Sequence, residues 1–217
     1  MATIAALISY PVKSCAGITF PAAHLTAAGL AHDRTFMVIG PDGTFRSQRR
    51  DPRLALITPA IDEAGQWLTL RTEGMDPLRI EVDLHRQRRP VTLFGIGYRG
   101  IDQGDSAARW LSRALGADSR LVRVPPEHHR VTDGLTPGTS GFADSAPVHL
   151  ISAESLRHLN NLVTSCGAAA LPMNRFRPNI VVDGWPGPHR EDLARGIVIA
   201  GAELGFAKPS IRCVTTM

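Results

Sequence analysis

Four short polar clusters place basic or hydroxyl groups where apolar runs end. The first is Tyr10-Pro11-Val12-Lys13-Ser14-Cys15-Ala16-Gly17. Pro11 stops the opening strand, and a lysine beside a serine in a glycine-containing turn offers an ammonium, a hydroxyl and backbone N–H groups to a phosphate. The GxxxxGK[ST] spacing of a nucleotide-binding loop is missing, which argues against a Walker site. The second cluster is Asp33-Arg34 and the third is Arg175-Phe176-Arg177-Pro178-Asn179. Pro178 is expected to hold Arg177 extended, so that Arg177 and Asn179 share one strand face. A guanidinium beside an amide suits a phosphate or the polar edge of a heterocycle. The fourth runs Lys208-Pro209-Ser210-Ile211-Arg212-Cys213-Val214-Thr215-Thr216. A cysteine directly after an arginine sees a positive potential, which favours the thiolate that binds soft metals or attacks electrophiles. Taken singly, each cluster also reads as a solvated turn or a buried strand; their combination changes the odds.

The elements that must position these groups are mostly strands. From Ala2 to about Gly100 short apolar runs alternate with turn residues and no helical period is sustained. Thr35–Ile39, Gly40-Pro41-Asp42-Gly43 and Thr44–Ser47 read as a hairpin. Leu54–Thr58, Trp67–Arg71, Leu78–Val82 and Val91–Phe94 are further strand candidates. Asp105 is expected to cap an amphipathic helix carrying Ala107, Trp110, Leu111, Ala114 and Leu115, with Gly116 as its stop. After Arg120–Val124 a polar loop runs from Pro125 to Ser145, too long for a simple connector. Val148–Ile151 then leads to Ser152 as N-cap of a second helix with Leu156, Leu159 and Val163 on one face. Ile180–Val182, Gly196–Ile199 and Ala202–Phe206 close the strand list before the terminal Arg212–Thr215. A strand-rich first half therefore precedes a mixed second half, with the change near Gly116 to Ser119.

Totals narrow the class of partner. The 217 residues are 43% hydrophobic, enough for a sizeable core. Three cysteines, Cys15, Cys166 and Cys213, lie far apart, which suits neither a disulfide framework nor a CxxC site. A formal charge of +4 favours an anionic partner. No apolar run reaches the roughly 18 residues of a membrane span, and the apolar opening Ile4–Ile8 has no basic segment before it. The expectation is a soluble cytoplasmic protein that engages neither membrane nor nucleic acid.

In this order, the four clusters together with Asp51-Pro52-Arg53-Leu54, Gly104-Asp105 and Phe142-Ala143-Asp144-Ser145-Ala146-Pro147 resemble the MOSC family. The branch is the one with an N-terminal MOSC β-barrel domain, which includes the mitochondrial amidoxime-reducing component and its bacterial relatives. The resemblance implies a mainly β fold with some α (α+β): a β-barrel-like domain over residues 1–118, packed on a MOSC β-barrel domain over 119–217. The family's Arg-Cys-x-x-Thr stretch continues into further strands, whereas this chain stops at Met217, so the second barrel is expected to be truncated at its C-terminal end. Relatives often have a cysteine where this chain has Ser210.

The resemblance further implies a molybdenum cofactor of the molybdopterin type, with Cys213 as metal ligand. It assigns the pterin phosphate and ring to Lys13, Ser14, Arg34, Ser145, Arg177, Asn179 and Arg212. The implied reaction is oxygen-atom transfer from small N-hydroxylated substrates such as amidoximes and hydroxylamines. Electrons would come from a separate flavin or iron–sulfur protein. Asp144, at the end of the long loop, is a candidate for positioning the substrate or a proton, or for capping the following turn. Two alternatives stand beside this one: a sulfur-carrier or cofactor-handling protein with a persulfide on Cys213, and a non-catalytic anion-binding β-barrel module.

Overall fold

Residues 2–212 are described by the computed structural model of this chain. Cys213, the expected metal ligand, and the rest of the terminal strand candidate beyond Arg212 lie outside the described residues.

Strand Trp67–Arg71 alternates exposed and buried side chains as a one-faced antiparallel strand should, with Leu68 and Leu70 inward. It lies between Thr58–Ile61 and Leu78–Glu81 in a three-stranded sheet. Helix Asp105–Leu115 lays Ala107, Leu111 and Leu115 on that face, and Val12, Cys15, Phe36, Val38, Leu54 and Leu121 complete the core. Truncating a buried leucine such as Leu111 to alanine costs about 2–5 kcal/mol. Gly104, not Asp105, is the helix N-cap, and the Asp105 carboxylate pairs with Arg120 instead. Gly116 stops the helix in the left-handed conformation (φ 70°).

A second, four-stranded antiparallel sheet orders Phe36–Ile39, Arg120–Arg123, Ile96–Asp102 and Arg88–Leu93. Phe36–Ile39 is buried on both faces. Alternation sends Phe36 and Val38 into the first core, and Met37 and Ile39 into a second with Val91, Leu93, Val122 and Phe142. The expected return arm of the hairpin is reduced to one bridge, Ile39 with Phe45.

The third sheet brings the two ends of the chain together, in the order Leu150–Ser152, Ile180–Asp183, Thr3–Ser9, Ile18–Phe20. Leu150–Ser152 runs parallel to Ile180–Asp183, an arrangement that needs a crossover, and helix Ala153–Ser165 supplies it. Ser152 caps that helix as expected, its Oγ accepting from the N–H groups of Glu154 and Ser155. Strand pairing crosses the 118/119 position three times: Arg120–Arg123 joins two earlier strands, and Thr3–Ser9 joins a later one.

The chain is mostly strands with a few helices, in agreement with the expected composition. Closed barrels are not formed among the described residues. A barrel requires each edge to pair with the next strand, whereas the largest sheets here have four strands and open edges. Leu54–Thr58 also departs from expectation, because Pro52–Leu56 is a 3₁₀ helix. Pro52 starts the turn, Leu54 N–H donates to Asp51 O, and Leu54 and Ile57 reach the core three residues apart.

Candidate functional site

The opening strand ends at Ser9, and the segment after it is fastened to the start of Phe36–Ile39. Phe36 N–H donates to Pro11 O (2.9 Å) and Lys13 N–H to Phe36 O (2.8 Å). Ser14 takes a positive φ of 68°. Lys13 is only 3% exposed. Its Nζ donates to Phe142 O at 2.9 Å, pairs with Asp144, and lies 4.9 and 5.4 Å from the ring centroids of Phe94 and Phe45. Burial pulls its pKa down from 10.5 to about 8, with Asp144 opposing and Arg34 and Arg130 reinforcing the fall.

Tyr10 is the hinge of the cationic centre. Its ring carries the guanidinium carbons of Arg34 and Arg177 at 4.3 and 4.2 Å from its centroid. Tyr10 N–H donates to the buried Asp33 carboxylate (2.8 Å), which also pairs with Arg34. Arg34 Nη2 donates to Arg177 O (3.3 Å), and Arg177 Nη1 to Cys15 O (2.7 Å). Burial, then Arg34, pushes the Arg177 pKa down to about 10. The Tyr10 hydroxyl is buried without a hydrogen-bond partner among the described residues, and burial raises its pKa against the pull of Arg177 and Arg34. Cys15 is likewise buried, its thiol pushed up to about 12 by desolvation, so it is no thiolate.

Arg177 is not extended. It closes the 3₁₀ turn Met173–Phe176 with φ 53° and ψ 48°, its N–H donating to Asn174 O. The restriction imposed by Pro178 disfavours the right-handed helical region but leaves this left-handed cap open. Arg177 therefore shares no strand face with Asn179. Ser14, Arg34 and Arg177 all hold left-handed backbone, an arrangement that costs of order 1–3 kcal/mol per residue and tends to gather at functional sites.

The long loop supplies the opposite wall. Arg130 clamps it, donating to Ser140 Oγ (3.1 Å) and to the carbonyls of Gly141 (3.1 Å), Ala143 (2.5 Å) and Asp144 (3.3 Å). Asp144 sits at the end of this clamp with its side chain 80% exposed. Desolvation raises its pKa, but Lys13, Arg34 and Arg177 outweigh that and hold the carboxyl below its usual range. Ser145 Oγ is buried with no hydrogen-bond partner among the described residues.

A cavity of about 450 Å³ brings together Lys13, Ser14, Arg34, Asp144, Ser145, Arg177, Asn179 and Arg212. All the described site residues expected from sequence thus border one space, although Asn179 has its amide committed elsewhere. Its Oδ1 accepts from His149 N–H (3.0 Å) and its Nδ2 donates to Ile8 O (3.1 Å), which ties three strands of the third sheet. Among the described residues no cluster of three or more His, Cys, Asp or Glu could hold a metal ion. Nor is any described helix long and apolar enough to cross a membrane.

Two residues at the site were not foreseen. Arg130 is one arginine among many in an irregular loop, and nothing local marks it. His149 also lines the cavity; burial, then Arg212, lowers its pKa to about 4, so its imidazole is neutral at pH 7. Sequence showed it only as one polar residue in an apolar strand.

Comparison with known proteins gives matches to two domain families. The MOSC N-terminal beta barrel domain matches residues 1–118, and the MOSC domain matches residues 137–217. Mitochondrial amidoxime reducing component 2 of Rattus norvegicus is 32% identical over 229 residues, covering 99% of this chain and 66% of that protein. Mitochondrial amidoxime-reducing component 1 of Homo sapiens is 30% identical over 231 residues, covering 99% and 65%. Molybdenum cofactor sulfurase of Bos taurus is 30% identical over 197 residues, covering 82% and 22%. The chain therefore spans just under two thirds of the amidoxime-reducing components and a smaller part of the sulfurase.

Proposed function

The chain belongs to the MOSC family, with a MOSC N-terminal beta barrel domain ahead of a MOSC domain, and on that premise we propose that it is a molybdenum-cofactor-dependent reductase of N-hydroxylated compounds. The observation that carries this reading is the convergence of Lys13, Ser14, Arg34, Ser145 and Arg177 on one cavity. Two guanidinium groups against one tyrosine ring, an ammonium beside them and an orphaned buried Ser145 Oγ form a donor set in need of an anionic, hydrogen-bonding ligand. A phosphorylated pterin meets that need: phosphate on Lys13, Ser14, Arg34 and Arg177, ring edge on Ser145 and Arg212. Cys213 is the thiolate for the metal.

When bound, the cofactor supplies two-electron oxygen-atom-transfer chemistry. The net reaction is R–NHOH + 2e⁻ + 2H⁺ → R–NH₂ + H₂O, with the electrons drawn from a separate flavin or iron–sulfur protein. Asp144, held as a carboxylate by its cationic neighbours, accepts an N–H of the substrate and orients the N–O bond toward the cavity. His149 stays neutral there and adds no further charge to a site already rich in cations. Arg130 fixes the Asp144 backbone and so sets where the carboxylate stands.

The test is metal content. Protein purified from a molybdopterin-competent host should carry stoichiometric molybdenum, lose it in Cys213→Ala, and bind it poorly in Arg177→Ala. Metal-free wild-type protein from such a host would overturn the reading. The similarity to molybdenum cofactor sulfurase supports a second one, a persulfide on Cys213, for which the sign is a reducible sulfur adduct by mass without metal.

A further inference from the structure

The segment Arg46-Ser47-Gln48-Arg49-Arg50-Asp51-Pro52-Arg53 sets four arginines against one aspartate, a net +3 in a chain whose formal charge totals +4. The turn is pinned. Arg46 pairs with Asp51 at 2.8 Å and donates to Asp118 O at 2.8 Å, and Ser47 O accepts from the N–H groups of Arg50 (3.0 Å) and Asp51 (2.8 Å). Both partners of that ion pair are largely shielded, whereas Arg49, Arg50 and Arg53 are exposed and none of the three makes an ion pair among the described residues. A Cβ on Gly116 would stand 3.2 Å from Arg53 Nη1, which places that guanidinium at the carbonyl end of helix Asp105–Leu115, whose last turn adds the exposed Arg113. Like charges held together on a rigid turn repel, and an anionic partner relieves them. The turn also reaches the cavity wall. Gln48 Nε2 donates to Ser14 O at 2.8 Å, and Ser14 lines the cavity.

We propose that this arginine turn is the docking surface for an acidic electron-carrier protein. Carboxylates of the carrier sit on Arg49, Arg50 and Arg53, whose planar forks suit them, and the bond from Gln48 to Ser14 sets the docked carrier against the cavity wall. Electron transfer falls steeply with distance, so that placement matters. The reduced carrier is oxidised there and supplies the two electrons of the net reaction given above. Its role as electron donor rests on the reductase reading; the affinity of the turn for an acidic protein face does not. Nucleic acid fits less well, because the segment has no aromatic side chain on which a base could stack. Attraction to the patch is strongest at low salt, since exposed charges are screened beyond about 8 Å at physiological ionic strength.

Binding is measured calorimetrically on full-length, molybdenum-loaded, oxidised protein at low ionic strength. The probes are an oxidised acidic flavodoxin and an oxidised two-iron ferredoxin, with an oligothymidylate for comparison. Wild type should bind at least one carrier, and Arg49→Glu/Arg50→Glu should weaken that binding about tenfold and flatten its salt dependence. Melting temperature and molybdenum content should stay as in wild type, because neither guanidinium is paired among the described residues. Arg99→Glu/Arg190→Glu changes the net charge equally at exposed arginines on other elements and should leave the affinity within about twofold. Binding of neither carrier, binding unchanged in Arg49→Glu/Arg50→Glu, equal losses in the two double variants, or tighter binding of the oligothymidylate overturns the docking surface. Turnover of an amidoxime by wild type with reduced viologen separates the two readings. Patch-dependent carrier binding without reduction leaves the acidic-protein surface standing and refutes the reductase. Reduction with patch-independent carrier binding does the reverse.

Discussion

Lys13 and Lys208 are the lysines of this sequence, which makes the titration of a buried site residue directly readable. Lys13 is held in the folded chain at about 8 against an ordinary 10.5. Below pH 8 both folded and unfolded states carry the proton, and the cost of the buried charge is felt in full. Between about 8 and 10.5 the unfolded chain keeps a proton that the folded chain has lost, so stability rises with pH through that window. The rise is about 3 kcal/mol, at 1.36 kcal/mol per unit. Asp144→Asn removes the carboxylate that pairs with the ammonium and leaves Phe142 O and the two aromatic rings. Two charges in contact at an effective dielectric of 20 gain about 4 kcal/mol, and solvent screening at the exposed Asp144 reduces this to roughly 1.5–3 kcal/mol. The Lys13 midpoint should accordingly fall by about one to two pH units, to between about 6 and 7. The assay is NMR titration of ¹³Cε-labelled lysine in cofactor-free protein, with Lys208→Arg assigning the two signals. Denaturant unfolding of wild type against Lys13→Met across the same pH range isolates the stability change. A wild-type Lys13 midpoint near 10.5, or one that Asp144→Asn does not lower, would refute the electrostatic account of the site.

Gly17→Ala should destabilise the chain by about 1–3 kcal/mol, because a Cβ there would stand 2.5 Å from Tyr10 Cε1 and 2.8 Å from Ile8 Cγ2; the denaturant midpoint reports it, and molybdenum retention should fall with it as Tyr10 shifts under its two arginines. His149, at about 4 folded against 6.5 unfolded, contributes stability that is present above pH 6.5 and lost as pH falls toward 4, by up to about 3 kcal/mol. His149→Gln should flatten that part of the pH–stability curve. Asp33→Ala should cost about 3–5 kcal/mol, since it strips a buried carboxylate from Arg34 and from Tyr10 N–H. Asp144→Ala should cost clearly less at the same pH, and equal losses in paired unfolding curves would contradict the assignment of Asp33 as scaffold.

Much of the fold was legible because local pattern and final environment agree. Trp67–Arg71 alternates in sequence and in burial, and Gly116 and Ser152 act at the helix ends where their conformational and hydrogen-bonding preferences suit them. Leu54 and Ile57 show where this fails. Two buried apolar residues three apart fit a 3₁₀ turn as well as a strand, and five residues are too few for period to decide. Sheet order was not legible either. The pairing of Thr3–Ser9 with Ile180–Asp183 joins residues about 175 positions apart, and neither strand's own sequence specifies the other. Barrel closure depends on the same kind of long-range register, which explains how a good strand list coexists with open sheets.

At the site, residue type was legible and surroundings were not. Lys13, Arg34 and Arg177 stand out as cations at the ends of strands, but whether a cation is free to meet an anion depends on the carboxylates that the fold sets beside it. Asp33 is buried, bonds Tyr10 N–H as well as Arg34, and so belongs to the scaffold. Asp144 is exposed and holds Lys13 with its side chain alone, its backbone being secured by Arg130. An anion at Lys13 would meet Asp144 as its competitor and leave the Asp33 pairing undisturbed. Exposure, which no motif records, thus separates two aspartates that look alike in sequence: one keeps the cations in place, and the other can exchange its partner when the anion arrives.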